Sequence, residues 1–478
     1  MTVVYIGNMT SIRYKKFGKQ EYAYEIHSFW NKEAKKSYQK TRYLGIVKDK
    51  DKKIFIKKRK EHEKLILDFG DVYALHGFLE KIGFIDMVKK AFGDKTDCLL
   101  SLLSYKLCYG SAMRYARTWF EGSYAKMQYK DVDLSSQRIS EFLKLIGDEK
   151  LQRDFFKEYI SKFTNAKNGI IIDTTSLPNQ IHIPFSAWGL HGEEIDKQIR
   201  FLLVVEKESS MPLFFRYLPG NIVDVSALDK TLKELQKYGI KESFVYLDGG
   251  FFSEDNIKDM YSGNMNFLTR LPSNRCLYKD LIKSEARDLE SVSNIVRYGK
   301  RGLFIKQKKI NLFGKEAYAH MVLDPERKGR ETKNLLIQTM DEKSENTDLE
   351  YDLMNRGIMI LVSSFEIKKE EVVPSYYVRQ TAEKMFGFSK DDLGLVPVRV
   401  HSEESIRGLL FLQFLSLIAF VQLKDKIGKE YTVEDILLTM RNLKCKVYDD
   451  EILVSELTKQ QKQIEDKIGI LLPKKLGI

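Results

Sequence analysis

The sequence predicts an α/β protein built on an open sheet, and three observations carry the prediction. A short apolar run, Gly169-Ile-Ile-Ile172, ends at Asp173, and another, Phe244–Leu247, ends at Asp248. Between them, Arg200–Val205 and Leu213–Leu218 are apolar runs joined by the polar stretch Glu206–Pro212, which reads as a hairpin. Thereafter amphipathic stretches alternate with short apolar runs, the pattern of crossover units on a parallel sheet.

Composition narrows the class. With 478 residues, 43% hydrophobic and 31% charged, the chain reads as a soluble globular protein with room for several domains. Cys98, Cys108, Cys276 and Cys445 are scattered without a Cys-x-x-Cys pair, which argues against a disulfide framework or a zinc finger. The apolar stretch Leu409–Leu423 is interrupted by Gln413, Ser416 and Gln422 and reads as a buried core helix, so no membrane partner is expected. The first residues lack the shape of a signal peptide, and the expected location is the cytoplasm, in association with the nucleoid. The net charge is +12, and all of it arises in residues 1–60, which hold 17 Lys/Arg against 5 Asp/Glu. That asymmetry suits either a polyanion-binding arm or a solubilising face.

Taken in order, residues 1–60 alternate aromatic or aliphatic with polar residues (Tyr22, Tyr24, Ile26; Tyr43, Leu44, Ile46) and read as a small basic β-unit, a DNA-contacting arm. Residues 61–165 read as a helical domain, either one that binds the DNA end or a plain structural bundle, with Leu65, Leu67, Val72, Leu75 and Leu79 opening a helical spacing, further helices at Cys98–Tyr109 and Phe142–Phe163, and a cap at Ser135 or Ser136. In 166–270 the strands described above are followed by a helix at Ala227–Tyr238, a second helix capped by Ser253 and a strand at Asn266–Thr269. Three strands in meander followed by crossovers is the order of a ribonuclease-H-like sheet. There the first and fourth strands are adjacent and parallel, which brings Asp173 and Asp248 to one sheet end. Residues 271–355 read as a β-rich insertion, with strands at Val296–Ile310 and Ala317–Leu323 and charged turns at Asp324–Lys333 and Asp341–Asp348. Residues 356–425 return to the core with a strand at Ile358–Val362 and helices around Tyr376–Lys390 and Ile406–Leu423. Residues 426–478 read as a helical tail that could serve dimerisation.

Within Pro374–Lys390, Ser375 can cap a helix beginning at Tyr376. At about 100° per residue, Tyr376, Arg379, Glu383 and Lys390 then share about 60° of arc. A carboxylate beside a phenol, a guanidinium and an ammonium suits a metal ligand with phosphate-binding neighbours, and equally a solvated face of ordinary ion pairs. The seven histidines are dispersed, and His182 and His191 have no cysteine partner. Trp119 and Trp188 read as packing residues, and Gly299–Gly302 as a charged hairpin turn.

The spacing Tyr376-x2-Arg379-x3-Glu383-x6-Lys390 resembles the signature helix of bacterial insertion-sequence DDE transposases of the "IS-four" superfamily. Asp173, within Ile-Ile-Asp-Thr-Thr-Ser, resembles the family's first catalytic aspartate. Asp248, within Tyr-Leu-Asp-Gly-Gly-Phe-Phe-Ser-Glu-Asp-Asn, resembles the second. Pro219–Asp224 and Arg399–Gly408 are similar to further family segments, so the likeness spans roughly residues 168–425. It implies that Asp173, Asp248 and Glu383 are catalytic and bind a pair of Mg²⁺ or Mn²⁺ ions, and that Tyr376, Arg379 and Lys390 contact DNA phosphates. It also implies cut-and-paste transposition: hydrolysis at terminal inverted repeats and strand transfer into double-stranded target DNA, by a homodimer in a synaptic complex. The sequence departs from the family at Phe386-Gly387, where relatives carry Phe-Arg, and at Ser363-Ser364, where Thr-Asn is common. The alternative is a catalytically inactive or domesticated DNA-binding relative.

Overall fold

A computed structural model describes residues 9–18, 20–31, 36–56, 65–163, 169–178, 186–191, 194–221, 225–240, 244–341, 349–395, 398, 400 and 402–477. The chain divides into two compact units, Met1–Leu65 with Val447–Asp449, and Ile66–Lys446 with Asp450–Ile478.

In the smaller unit, β1 (Met9–Phe17), β2 (Gln20–Asn31), β3 (Lys36–Asp49) and β4 (Ile54–Ile56) form an antiparallel sheet in chain order. Ala23 and Ile26 are buried, and the Tyr22 and Tyr24 rings lie 6.3 and 5.3 Å from the Tyr43 ring. These tyrosines face one another across neighbouring strands and supply the packing that so short a sheet needs. Lys36, Lys40 and Arg42 stand exposed on β3.

Next in the chain is β5 (Leu65–Asp68), so Leu65 and Leu67 belong to a strand and not to the first helix of the periodic run. Helices α1 (Gly70–Lys81), α2 (Phe84–Phe92), α3 (Thr96–Cys108), α4 (Ala116–Gly122), α5 (Ala125–Gln128), α6 (Ser136–Ile146) and α7 (Glu149–Phe163) follow. The single helix expected over Phe142–Phe163 is thus two helices that break at Gly147. A Cβ at Gly147 would lie 2.1 Å from the Glu404 carbonyl oxygen, so only glycine lets the two backbones approach. Trp119 is buried, as a packing residue is.

Next come β6 (Ile170–Pro178), β7 (Ala187–His191), β8 (Glu194–Glu206), β9 (Pro212–Pro219), α8 (Val225–Lys237), β10 (Phe244–Leu247), α9 (Glu254–Ser262) and β11 (Asn266–Arg270). β8 pairs antiparallel with β6 on one edge and with β7 and then β9 on the other. β10 pairs parallel with both β6 and β11. The run β9-β8-β6-β10-β11 is therefore a meander followed by parallel crossovers, with β6 and β10 adjacent. β7 is an addition that the sequence pattern does not signal.

The segment after β11 differs from expectation in two respects. It contains α10 (Cys276–Glu285), β12 (Ile295–Tyr298), β13 (Arg301–Leu312), β14 (Lys315–Leu323), α11 (Pro325–Asp341) and α12 (Leu349–Asn355), and β15 (Ile358–Ser363) follows. The run Val296–Ile310 is not one strand. It reverses at Gly299, whose φ of +60° suits glycine, and Arg301 pairs with Tyr298 across the turn. The stretch expected as a charged turn at Asp324–Lys333 instead opens α11. Proline takes its first position, and the Asp324 carboxylate accepts the Glu326 and Arg327 N–H groups. Because β14 pairs along β15, and β15 along β11, these strands extend the central sheet, which holds ten strands among the described residues.

The signature segment forms α13 (Lys369–Tyr377) and α14 (Gln380–Gly387), and α15 (Glu403–Ile427) follows. By length and composition α15 could cross a membrane, but 89% of its most apolar window is buried inside the protein. Phe411 and Phe414 on α15 pack against Phe155, Phe156 and Phe215, with ring centroids 5.2 to 6.3 Å apart. The tail is not simply helical: α16 (Val433–Arg441), β16 (Lys444–Val447), β17 (Glu451–Val454), α17 (Lys459–Ile468) and β18 (Lys475–Gly477) alternate, and these strands form a sheet with β5.

Candidate active site

Asp173 and Asp248 occupy equivalent positions on neighbouring parallel strands. The β6–β10 register runs Ile170 with Val245, Ile171 with Tyr246 and Ile172 with Leu247, and the next residue on each strand is an aspartate. β6 does not stop at Asp173, since Thr174–Pro178 stay paired with β8. Asp173 instead marks the point where pairing with β10 ends. The residues after Asp248 brace its loop. Ser253 caps α9, the Asn256 side chain donates to the Phe251 carbonyl at 2.8 Å, and the Thr269 hydroxyl donates to the Asp248 carbonyl at 3.3 Å.

The signature helix is not built as the spacing predicts. Ser375 is not a cap: α13 begins at Lys369, and Pro374 lies inside it. Proline lacks an N–H and disturbs the helical ladder, and the chain tightens just beyond it. Arg379 N donates to the Tyr376 carbonyl, Thr381 N to Val378 and Ala382 N to Arg379, each across three residues. After α14 the chain widens into a π-type turn over Phe388–Asp392. The uniform 100° step therefore fails, yet all four side chains reach the site.

Their partners are specific. Arg379 Nη1 lies 2.8 Å from Asp173 Oδ2, and Arg379 Nη2 lies 2.9 Å from Glu383 Oε1 and 3.9 Å from Asp248 Oδ1. The Tyr376 hydroxyl donates to Asp248 Oδ1 at 3.1 Å, and Lys390 Nζ donates to Thr175 Oγ1 at 2.7 Å. The Asp173 side chain is 9% exposed, against 41% for Asp248 and 51% for Glu383. Burial accordingly pushes the Asp173 carboxyl up to about 7, against the pull of Arg379 and of the Thr174 N–H. Burial, with Asp248 beside it, also raises the Tyr376 phenol, so that group stays a hydrogen-bond donor. Burial works against the charge on Arg379, but Asp173 and Asp248 outweigh it and raise its pKa. Burial lowers that of Lys390, and Asp391 opposes the shift.

The sequence does not signal the hydroxyls that serve the cluster. Thr175 receives Lys390, and Thr174 receives Arg200 Nη2 at 2.9 Å. The Thr174-Thr175-Ser176 run looks like an ordinary polar strand end. Other singled-out residues are structural or lie elsewhere. Arg407 binds Glu149 at 2.9 Å and the Gly147 carbonyl, so it ties α15 to the α6–α7 junction. Residues 222–224 of the Pro219–Asp224 segment, together with His182, Arg399 and His401, lie outside the described residues.

Of the two departures from the family pattern, only Ser363-Ser364 has a local structural reason. A Cβ at Gly387 would meet nothing within 4 Å, so neither packing nor a turn requires glycine there. The Ser363 hydroxyl donates to the Phe365 carbonyl at 2.6 Å and lies 2.8 Å from His320 Nε2. The Ser364 hydroxyl accepts the Phe267 N–H and donates to Asn266, which pins the end of β15 to β11.

The carboxylates suit a divalent cation by donor chemistry, since all three offer hard oxygens to one positive centre. That centre is the Arg379 guanidinium. Among the described residues, no three His, Cys, Asp or Glu side chains stand close enough to hold an ion as they are. As they stand, Asp173, Asp248 and Glu383 are grouped around a guanidinium and not around an ion.

A family model described as a transposase DDE domain matches residues 164–419. No curated protein matches the chain. The cryo-EM structure of the piggyBac transposase synaptic complex with hairpin DNA aligns over 84% of this chain and 76% of that chain, at 13% identity and a TM-score of 0.41.

Proposed function

The chain belongs to the transposase DDE domain family, and from that premise we propose that it is an active cut-and-paste transposase of the "IS-four" type. It binds the terminal inverted repeats of a bacterial insertion sequence, cuts phosphodiester bonds there and transfers the freed strand into target DNA. The observation that carries this reading is the convergence of Asp173 within β6, Asp248 just after β10 and Glu383 on α14 on one cation, Arg379.

In this reading the three carboxylates hold a pair of Mg²⁺ or Mn²⁺ ions. When bound, such ions activate a water or a 3′-hydroxyl and stabilise the leaving oxygen of an in-line displacement. The chain's own residues do the rest. Arg379 offers a planar fork to phosphate oxygens, Lys390 offers a point charge, and the Tyr376 hydroxyl donates a hydrogen bond. The basic strands β1–β3 add phosphate contacts that do not depend on sequence. Two copies bring paired element ends together.

The deciding experiment is cleavage of DNA carrying the inverted repeats that flank this gene, with Mg²⁺, with EDTA, and with Asp248→Asn. Cutting at the repeat boundary that is lost in both controls supports the proposal. Specific binding without cutting overturns it in favour of a DNA-binding relative.

A further inference from the structure

We propose that Arg379 is an internal counter-cation which Asp173, Asp248 and Glu383 must give up before they can take divalent metal, and that DNA phosphate draws it out, so that metal loading is coupled to DNA engagement. The proposal rests on the transposase reading and assigns its site a form of regulation.

One guanidinium serves all three acids, at 2.8, 3.9 and 2.9 Å. It is no surface ion pair: the Arg379 side chain is only 17% exposed, beneath the more open Asp248 and Glu383. A divalent ion sits about 2.0–2.6 Å from its carboxylate oxygens. Ions on these oxygens would therefore lie within a few ångströms of the guanidinium, where like charges repel strongly in a partly desolvated site. Arg379 and the metal thus compete for the same oxygens. Arg379 lies at the junction of α13 and α14 with its backbone in the helical region, so the release proposed here is a swing of the side chain alone. A phosphodiester offers the guanidinium two acceptor oxygens in the geometry it prefers, and so replaces what it loses at the carboxylates. Linkage then makes the effect mutual: DNA tightens metal binding by the factor by which metal tightens DNA binding.

The test measures Mn²⁺ affinity of the full chain by titration calorimetry, without DNA and with a duplex of the element end. For the wild type, the duplex is expected to tighten Mn²⁺ binding by about tenfold, within the usual range of such couplings. Without DNA, Arg379→Gln is expected to bind Mn²⁺ about tenfold tighter than wild type, and the duplex adds little further. Arg379→Lys, which keeps the charge but loses the fork, should fall between. The wild-type comparison needs no variant and stands even if Arg379→Gln folds poorly. Equal Mn²⁺ affinity with and without duplex, lost in Asp248→Asn, overturns the coupling alone. Absence of any Mn²⁺ binding that depends on Asp248 overturns both the coupling and the transposase reading.

Discussion

Gly408 on α15 meets the backbone of Leu143 on α6 so closely that a Cβ at 408 would lie 1.8 Å from the Leu143 carbonyl oxygen. The reciprocal approach of Gly147 to Glu404 clamps the same crossing one turn away. Gly408→Ala must therefore push two helices apart, and one of them is the core helix. The expected cost is about 3 kcal/mol or more, read as a lower midpoint in urea unfolding. A midpoint within error of wild type would mean that the crossing relaxes freely.

The opposite outcome is expected at Gly387. Its backbone is helical, with φ −55° and ψ −53°, and a Cβ there meets nothing. Gly387→Ala should raise stability by about 0.5–1 kcal/mol through the entropy of the unfolded chain, with cleavage activity retained. A loss of stability would show that the glycine has a purpose the packing does not reveal.

His320 gives a pH dependence. The Ser363 hydroxyl spends its one proton on the Phe365 carbonyl, so His320 Nε2 must be the donor to Ser363, and Nδ1 lies buried without a partner. The ring is thus neutral, and burial lowers its pKa from 6.5 to about 4. A base whose folded pKa is depressed binds its proton more readily when unfolded. Its contribution is complete above about pH 6.5 and is lost as the pH falls towards about 4. The difference amounts to about 3 kcal/mol. Urea unfolding at pH 7 and pH 4 should show a drop smaller by about that amount in His320→Asn than in wild type. Equal drops would mean that the ring titrates normally.

Removing residues 1–60, which carry the whole net charge of +12, should weaken duplex binding and flatten its dependence on salt. The slope of log K against log salt should fall by about 0.9 for each phosphate that the shortened protein no longer neutralises. An unchanged slope would reduce the basic strands to a solubilising face.

The parts of this site that sequence can reveal are local. An apolar run ending in a carboxylate is visible within a few residues, and Asp173 and Asp248 both have that signature. The hairpin of β8 and β9 is visible for the same reason, as apolar runs around a polar turn. What escapes is set by distant partners. β6 continues through Thr174 and Thr175 because β8 supplies the pairing, although those residues look like a strand's polar end. Nothing near Val296 or Ala317 in sequence says that β14 will pair with β15 and join the central sheet. Pro374 argues for a helix start after it, but Val372, Val373 and Tyr376 are buried around it, and packing overrides the local preference. The pairing of Arg379 with Glu383 is local, four residues on, but nothing near Arg379 in sequence records Asp173, 206 residues away.

Chain order gives the pairing of Arg379 with its acids a consequence during synthesis. β6, β10 and β11 emerge from the ribosome well before α13 and α14, with the whole run from β12 to β15 still to come. A nascent chain at that stage lacks the guanidinium that bridges Asp173 and Asp248, so the end of the β6–β10 pair is without the tie that Arg379 later supplies. The middle of the sheet should therefore be the last part to become protease-resistant. A product truncated ahead of Arg379 should be digested more readily than the full chain.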